Sequence, residues 1–327
     1  MEQTPQLRWA ILGTGWIANE MAAAMGRGGR VPAAVGNRTP EKAEAFARKY
    51  NIGKAYSDFH EMFTDPDIDA VYIATSHNTH IGFIEEALSH SKHVLCEKAI
   101  TLNSEELNRA VRLAEEHRLV LAEAMTIYHM PLYRALRERL ASGALGRVNL
   151  IQLNFGCFKP YDMSNRFFNP ALAGGAMLDI GVYALSLARL FLESAPDQVK
   201  SFARTAPTGV DETAGILMSN PQGQLATITM SLHSRLPKRV EISCEKAYIE
   251  ITDYPRAEEC TIVDAVTKER ETLRAGCTAD ALLYEVEDLE RAVAGQGDML
   301  LPYTIDVMKI MTDLRREWGV TYPEEQK

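Results

Sequence analysis

The segment Trp9-Ala10-Ile11-Leu12-Gly13-Thr14-Gly15-Trp16-Ile17-Ala18 constrains this chain more than any other. It reads as a short buried strand that breaks at a glycine pair and reopens as a helix. In a Gly-x-Gly-x-x-Gly/Ala turn the first glycine makes the tight bend and the second admits a pyrophosphate close to the backbone. The small third residue, here Ala18, lets helix and strand pack closely. The helix start adds unpaired amides and partial positive charge. Gly13, Thr14, Gly15, Trp16 and Ile17 are therefore candidate dinucleotide contacts. The same glycines also occur in α/β proteins for packing alone, so the rest of the chain has to decide.

Beyond the turn, strands and helices alternate. Strand-like Ala33–Gly36 precedes a helix with Thr39 as N-cap and Pro40 at its first position. Ala70–Ala74, His93–Cys96 and Val120–Ala122 are further strands. Helical stretches separate them, one capped by Asn103 or Ser104 and carrying Leu107, Ala110, Val111 and Ala114 at helical spacing. Such βα alternation predicts a parallel, doubly wound sheet with ligands at its carboxyl edge. From about residue 124 the style changes. Strands are expected at Val148–Phe155, Val199–Arg204, Gly215–Met218, Leu225–Leu232, Val240–Cys244 and Tyr248–Ile251, some joined by turns such as Asn220-Pro221-Gln222-Gly223. Two amphipathic helices, around Leu282–Val293 and Ile305–Leu314, complete the pattern. The expected organisation is an α/β chain: a Rossmann dinucleotide-binding domain over 1–123, then an α+β domain on a largely antiparallel open sheet over 124–327. At 327 residues the chain is long enough for both.

Composition excludes several classes of function. A net charge of −9 with no Lys/Arg block argues against a nucleic-acid partner. Five scattered cysteines without a Cys-x-x-Cys pair favour neither a disulfide framework nor a structural zinc site, which fits a reducing cytoplasm. No leader-like segment opens the chain and no apolar run reads as a membrane span, so neither export nor a membrane is expected. No His/Asp/Glu spacing suggests a metal.

Four sets of residues carry candidate chemistry. Lys98 ends a parallel strand where a ligand crevice opens, and burial there would favour its neutral, proton-accepting form; it also reads as a surface lysine beside Glu97. Asp179 and Tyr183 lie four residues apart on a predicted helix and so share a face, although Asp179 could simply cap that helix and Tyr183 could be a core aromatic. After the second strand the chain reads Gly36-Asn37-Arg38-Thr39-Pro40-Glu41-Lys42. A ribose 2′-hydroxyl would call for an acid there, whereas Arg38 and Lys42 suit a 2′-phosphate and favour NADP(H) over NAD(H). His77 and His80 follow the third core strand, near Thr75, and read as lining a cofactor, with a structural role open for His80.

Three of these segments together, Cys96-Glu97-Lys98-Ala99, Ala74-Thr75-Ser76-His77-Asn78-Thr79-His80 and Ala173-Gly174-Gly175-Ala176-Met177-Leu178-Asp179-Ile180-Gly181-Val182-Tyr183, resemble the Gfo/Idh/MocA oxidoreductases. The likeness covers nearly the whole chain, including Gly319-Val320-Thr321-Tyr322-Pro323, and is nearest to the dihydrodiol dehydrogenase branch. It implies that Lys98, Asp179 and Tyr183 are catalytic. Tyr183 and Lys98 would exchange the hydroxyl proton and Asp179 would orient the hydroxyl. It also implies that Glu97, Lys98, Glu123, Arg166 and Tyr284 line the cofactor, the last two from the second domain. The chain departs from the family at Ala99, where a Glu-Lys-Pro motif has proline, and at Ala124-Met125-Thr126-Ile127-Tyr128-His129, where the branch has a Trp-Thr-Arg run.

The expected activity is NADP(H)-dependent interconversion of a secondary alcohol and a ketone on a sugar, polyol or cyclic dihydrodiol, with NAD also usable. Two alternatives stay open: a nucleotide-binding sensor without catalysis, and an NAD-dependent glycoside-cleaving enzyme. An open antiparallel sheet with one face to cover predicts a homo-oligomer, with a dimer first.

Overall fold

The computed structural model describes residues 6–326, which divide into two compact units. Among the described residues the first comprises 6–125 and 279–301, and the second 126–278 and 302–326. The division expected after residue 123 thus falls two residues later, and the chain also returns to its first unit near the end.

In the first unit six strands form a sheet: β1 (Trp9–Leu12), β2 (Ala34–Gly36), β3 (Lys54–Tyr56), β4 (Ala70–Ile73), β5 (His93–Glu97) and β6 (Leu121–Ala124). Their order is β3-β2-β1-β4-β5-β6 and every pairing is parallel. The strands are apolar because both faces are covered; β1 and β4 are buried at every position. The covering helices are α1 (Trp16–Arg27), α2 (Pro40–Tyr50), α3 (Phe59–Thr64), α4 (His80–Ser89) and α5 (Ser104–His117). Asn103 caps α5, its side chain accepting from the Glu106 amide at 2.9 Å. Thr39 stands at the N-cap of α2 without a side-chain bond. Instead the Thr39 amide donates to Asn37 Oδ1 at 2.9 Å.

The returning segment explains the altered boundary. A later helix, α9 (Ala281–Val293), buries Leu282, Leu283, Val286 and Leu289 in one cluster with Trp9, Met21 and Met25. Its buried Glu290 accepts from Trp9 Nε1 and the Leu7 amide, both at 3.2 Å, and pairs with Arg30 at 2.8 Å. Tyr284 sits on this helix and so belongs to the first unit, not to the second domain as the sequence suggested.

The second unit opens with α6 (Thr126–His129) and α7 (Pro131–Ala141) and is built on β7 (Val148–Gly156) and seven further strands. These are β8 (Gln198–Thr205), β9 (Asp211–Ser219), β10 (Leu225–Ser231), β11 (Leu236–Cys244), β12 (Ala247–Thr252), β13 (Glu259–Asp264) and β14 (Arg270–Arg274). The order is β14-β13-β12-β11-β7-β10-β9-β8, antiparallel throughout except for the parallel β7–β10 pair. Ile151, Leu153, Ile216, Met218, Ile228 and Ile242 point to a core covered by α8 (Val182–Phe191).

One composition-based expectation needs correction. Pro170–Phe191 is a helical stretch long and apolar enough to cross a membrane. Its most apolar stretch of eighteen residues is 83% buried within the protein, as in the core helix of a folded domain. Helix α10 (Leu301–Glu317) completes the described elements apart from a closing turn at Pro323–Gln326.

Candidate active site

In the first unit the strand order reverses between β1 and β4, and a crevice opens at their carboxyl ends, where α/β sheets bind ligands. It encloses about 410 Å³ and is lined by Gly13, Thr14, Gly15, Asn37, Arg38 and Lys42 on one side and by Ala74, Thr75, Ser76 and Thr79 on the other. An adjoining hollow of about 470 Å³ shares Thr14, Gly15, Asn37 and Lys42 and extends along α2 to Lys49. The two glycines serve different ends. Gly13 has φ +108, and a Cβ there would meet the Ala74 carbonyl oxygen at 2.5 Å, so glycine is needed to bring β1 and β4 together. Gly15 has an ordinary φ of −72, and a Cβ there would meet nothing within 4 Å. The room kept open at Gly15 lies at the start of a twelve-residue helix, α1, with no acidic residue in its first turn. That suits a pyrophosphate. Asn37 braces the floor by donating to Thr14 Oγ1 at 2.7 Å. These residues fit a dinucleotide. Trp16, 72% exposed, borders the same turn, and Ile17 is half-buried beside it.

Lys98 follows β5 and is half-buried, and the backbone beside it is held from several sides. His77 Nε2 donates to the Lys98 carbonyl at 3.0 Å. The Lys98–Ala99 peptide is cis. Glu123 accepts from the Ile100 amide at 3.1 Å, and Glu97 accepts from the Tyr72 hydroxyl. Glu97 and Glu123 are both buried, so they build the floor under Lys98 and are not open contacts. His80 has no exposed surface, and its two ring nitrogens face the carbonyls of Ala99, at 3.0 Å, and Thr75, at 3.2 Å. Burial pushes this imidazole down to about 4 against the pull of those carbonyls, so it is neutral at pH 7 and donates to one of them. His80 therefore stands behind the crevice and shapes its loops. Of the two readings that the sequence left open for His80, its burial fits the structural one.

In the second unit Asp179 lies in a π-helical turn, Met177–Gly181, that runs into α8, and Tyr183 is in the first turn of α8. Asp179 does not cap the helix. Its carboxylate accepts from Arg166 at 2.7 Å, and it is nearly buried while the arginine is about half exposed. Arg166 in turn lies 4.8 Å from the Phe167 ring centroid, as does Lys159 at 4.2 Å. The Tyr183 ring is 5.9 Å from Phe155, which also meets buried Tyr254 edge-on at 6.0 Å. Tyr183 is half-buried and has the Phe155 ring for a neighbour. Phe155 and Tyr254 were not expected from the sequence; both sit at element ends where an aromatic reads as ordinary core. The departing segment at Thr126–His129 is α6, packed against α8 and the Tyr254 turn.

Two family models match this chain. One, described as an oxidoreductase family with an NAD-binding Rossmann fold, covers residues 7–125, and the other, the GFO/IDH/MocA C-terminal domain, covers residues 133–250. The chain belongs to the Gfo/Idh/MocA oxidoreductase family. Among its relatives is the trans-1,2-dihydrobenzene-1,2-diol dehydrogenase of Mus musculus, 30% identical over 98% of this chain and 99% of that protein. The Xenopus laevis enzyme of that name is 32% identical over 97% and 99%. Similar solved structures include a levoglucosan dehydrogenase in complex with NADH and levoglucosan, with TM-score 0.87 and 18% identity over 96% of this chain and 97% of that one. KijD10, a 3-ketoreductase from Actinomadura kijaniata in complex with NADP and TDP-benzene, has TM-score 0.83 and 21% identity over 95% and 98%. The family assignment makes this Gfo/Idh/MocA chain an oxidoreductase that uses a nicotinamide nucleotide, and the crevice along Gly13–Gly15 is suited to hold it.

Proposed function

We propose that this Gfo/Idh/MocA protein interconverts a secondary alcohol and a ketone on a sugar, polyol or cyclic diol, with NADP(H) preferred over NAD(H). The observation that carries the cofactor preference is the crevice wall after β2. It presents Arg38 and Lys42, while the position where an acid would accept from a 2′-hydroxyl is occupied by Asn37, whose amide is turned to Thr14. The nucleotide supplies hydride transfer when bound. Lys98 and Tyr183 carry the hydroxyl proton, and Asp179, held by Arg166, orients the hydroxyl. The names of the relatives, a diol dehydrogenase and a levoglucosan dehydrogenase among them, support a polyhydroxylated substrate.

A fluorescence titration with NADPH and NADH, repeated on Arg38→Ala, tests the cofactor reading. NADPH is expected to bind more tightly. The substitution should weaken NADPH by roughly ten- to a hundredfold, the worth of one or two charged hydrogen bonds, while leaving NADH almost unchanged. A native preference for NADH would overturn this assignment, and binding of neither would remove the oxidoreductase reading.

The uncovered face of the second sheet supports a homodimer. Phe202, Leu217 and Leu225 share that face by register and are exposed, Phe202 to 90%. Light scattering is expected to give twice the chain mass, reduced by Phe202→Asp; a native mass of one chain would count against it.

A further inference from the structure

The turn that introduces Asp179 is held from behind by a residue outside every motif. Asp211 opens β9 and has no exposed surface. Its Oδ2 accepts from the Met177 amide, the first of the π-helical turn, at 2.5 Å. Its Oδ1 lies against Gly175, where φ is +127 and a Cβ would meet that oxygen at 2.3 Å. Tyr322, buried near the end of the chain, donates to the Gly174 carbonyl at 2.7 Å. On the other side, the Gly174 and Gly175 amides donate to Asn169 at 3.0 Å and Phe167 at 2.9 Å, in the turn that carries Arg166. The glycine pair is thus gripped between the Arg166 turn and the Asp211–Tyr322 pair.

The need for an outside acceptor is physical. The first amides of a helix lack intrahelical partners, and an acid in the first turn would ordinarily serve them. Here the first-turn acid, Asp179, is turned to Arg166 instead, so the cap comes from β9. We infer that Asp211 is a positioning residue for the reaction: its carboxylate fixes the start of the segment bearing Asp179 and Tyr183, and Tyr322 holds the adjoining glycine carbonyl.

Burial pushes the Asp211 carboxyl up to about 6, opposed by the Met177 and Ala176 amides and by the charge of Arg315 from α10. Arg315 is itself paired with Glu325 at 2.8 Å and lies over the Tyr322 ring. On the same strand, Glu212 is engaged by Arg204 and Tyr161. A charged acceptor binds an amide more strongly than a neutral one, so the grip weakens as pH falls through about 6.

The inference rests on the proposed roles of Asp179 and Tyr183, and the test separates the two. Native protein, Asp211→Asn and Tyr322→Phe are compared for kcat, KM and kcat against pH. Asp211→Asn is expected to lower kcat by between ten- and a hundredfold, the range for a small displacement of a reacting group, with nucleotide affinity unchanged. It should also remove an acidic limb centred near pH 6 that Tyr322→Phe, slower by a few-fold, retains. Full kcat with the limb intact in Asp211→Asn overturns the inference; if that variant fails to fold, full kcat in Tyr322→Phe does so. A readout independent of activity is a resonance titration of protein labelled with ¹⁵N-methionine and ¹³C-tyrosine. Met177 and Tyr183 signals should move together near pH 6 and stay still in Asp211→Asn. A Tyr183 signal that ignores the Met177 titration sinks the inference, whereas a protein that shows the coupled titration and turns over no alcohol or ketone sinks only the proposed function.

Discussion

Lys98→Met protein is expected to bind NADPH as the native chain does and to turn over more slowly by about 10²- to 10⁴-fold, the contribution typical of a positioned acid or base. Methionine keeps the unbranched stem and lets it lie along the same path, so packing changes little and the proton carrier alone is deleted. The backbone around it is held independently of the side chain, by His77 on the Lys98 carbonyl, His80 beside the Ala99 carbonyl and Glu123 on the Ile100 amide. Loss of the amine should therefore leave the strand end in place. Lys98→Arg sharpens the reading, since arginine keeps a positive charge but does not release a proton near neutrality. Activity near the native level in Lys98→Arg would show that charge is what matters. If both variants are equally slow, proton transfer is the role. A fall of less than threefold in Lys98→Met would remove Lys98 from the chemistry, and a parallel loss of NADPH binding would make it a cofactor ligand.

The parts of this molecule that repeat locally were legible in its sequence. The parallel sheet announced itself through buried runs such as Trp9–Leu12 and Ala70–Ile73 alternating with helical spacing, and Asn103 reads as a cap because its side chain bonds only three residues ahead. Long-range choices were not legible. The apolar stripe of Leu282, Val286 and Leu289 says that a helix must cover something, but not that it returns to Trp9, whose indole bonds Glu290 across 281 positions. Two of the four edge strands were also silent. Lys54–Tyr56 is too short to show a period, and Arg270–Arg274 shows charged residues around a single half-buried leucine, as edge strands do when they resist pairing. The same reason hid part of the candidate site. Lys98, His80 and Asp179 stand in motifs, but Asp211, inferred to position the Asp179 turn, acts through the Met177 amide, which no local pattern reveals.

That division between motif and support predicts opposite behaviour for two glycines only two residues apart. Gly15→Ala is expected to fold and melt as the native protein does, because its φ of −72 is ordinary and its new methyl group meets nothing within 4 Å. It should still weaken NADPH and NADH alike by about ten- to a hundredfold, the 1–3 kcal/mol of an overpacked contact, since the methyl group enters space kept for the pyrophosphate. Gly13→Ala should behave in reverse order. Its methyl group meets the Ala74 oxygen at 2.5 Å with φ at +108, so the β1–β4 junction must open before any ligand arrives. Its melting temperature is expected to drop by several degrees, from about 1–3 kcal/mol of strain, with nucleotide binding lost as a consequence. Thermal melts with and without an excess of NADPH separate the two cases: native protein gains stability on adding nucleotide, Gly15→Ala starts equal and gains less, and Gly13→Ala starts low. If Gly15→Ala gained as much as the native chain, the open space at the start of α1 would not be where the phosphates lie, and the dinucleotide reading of the glycine turn would fail at its central point.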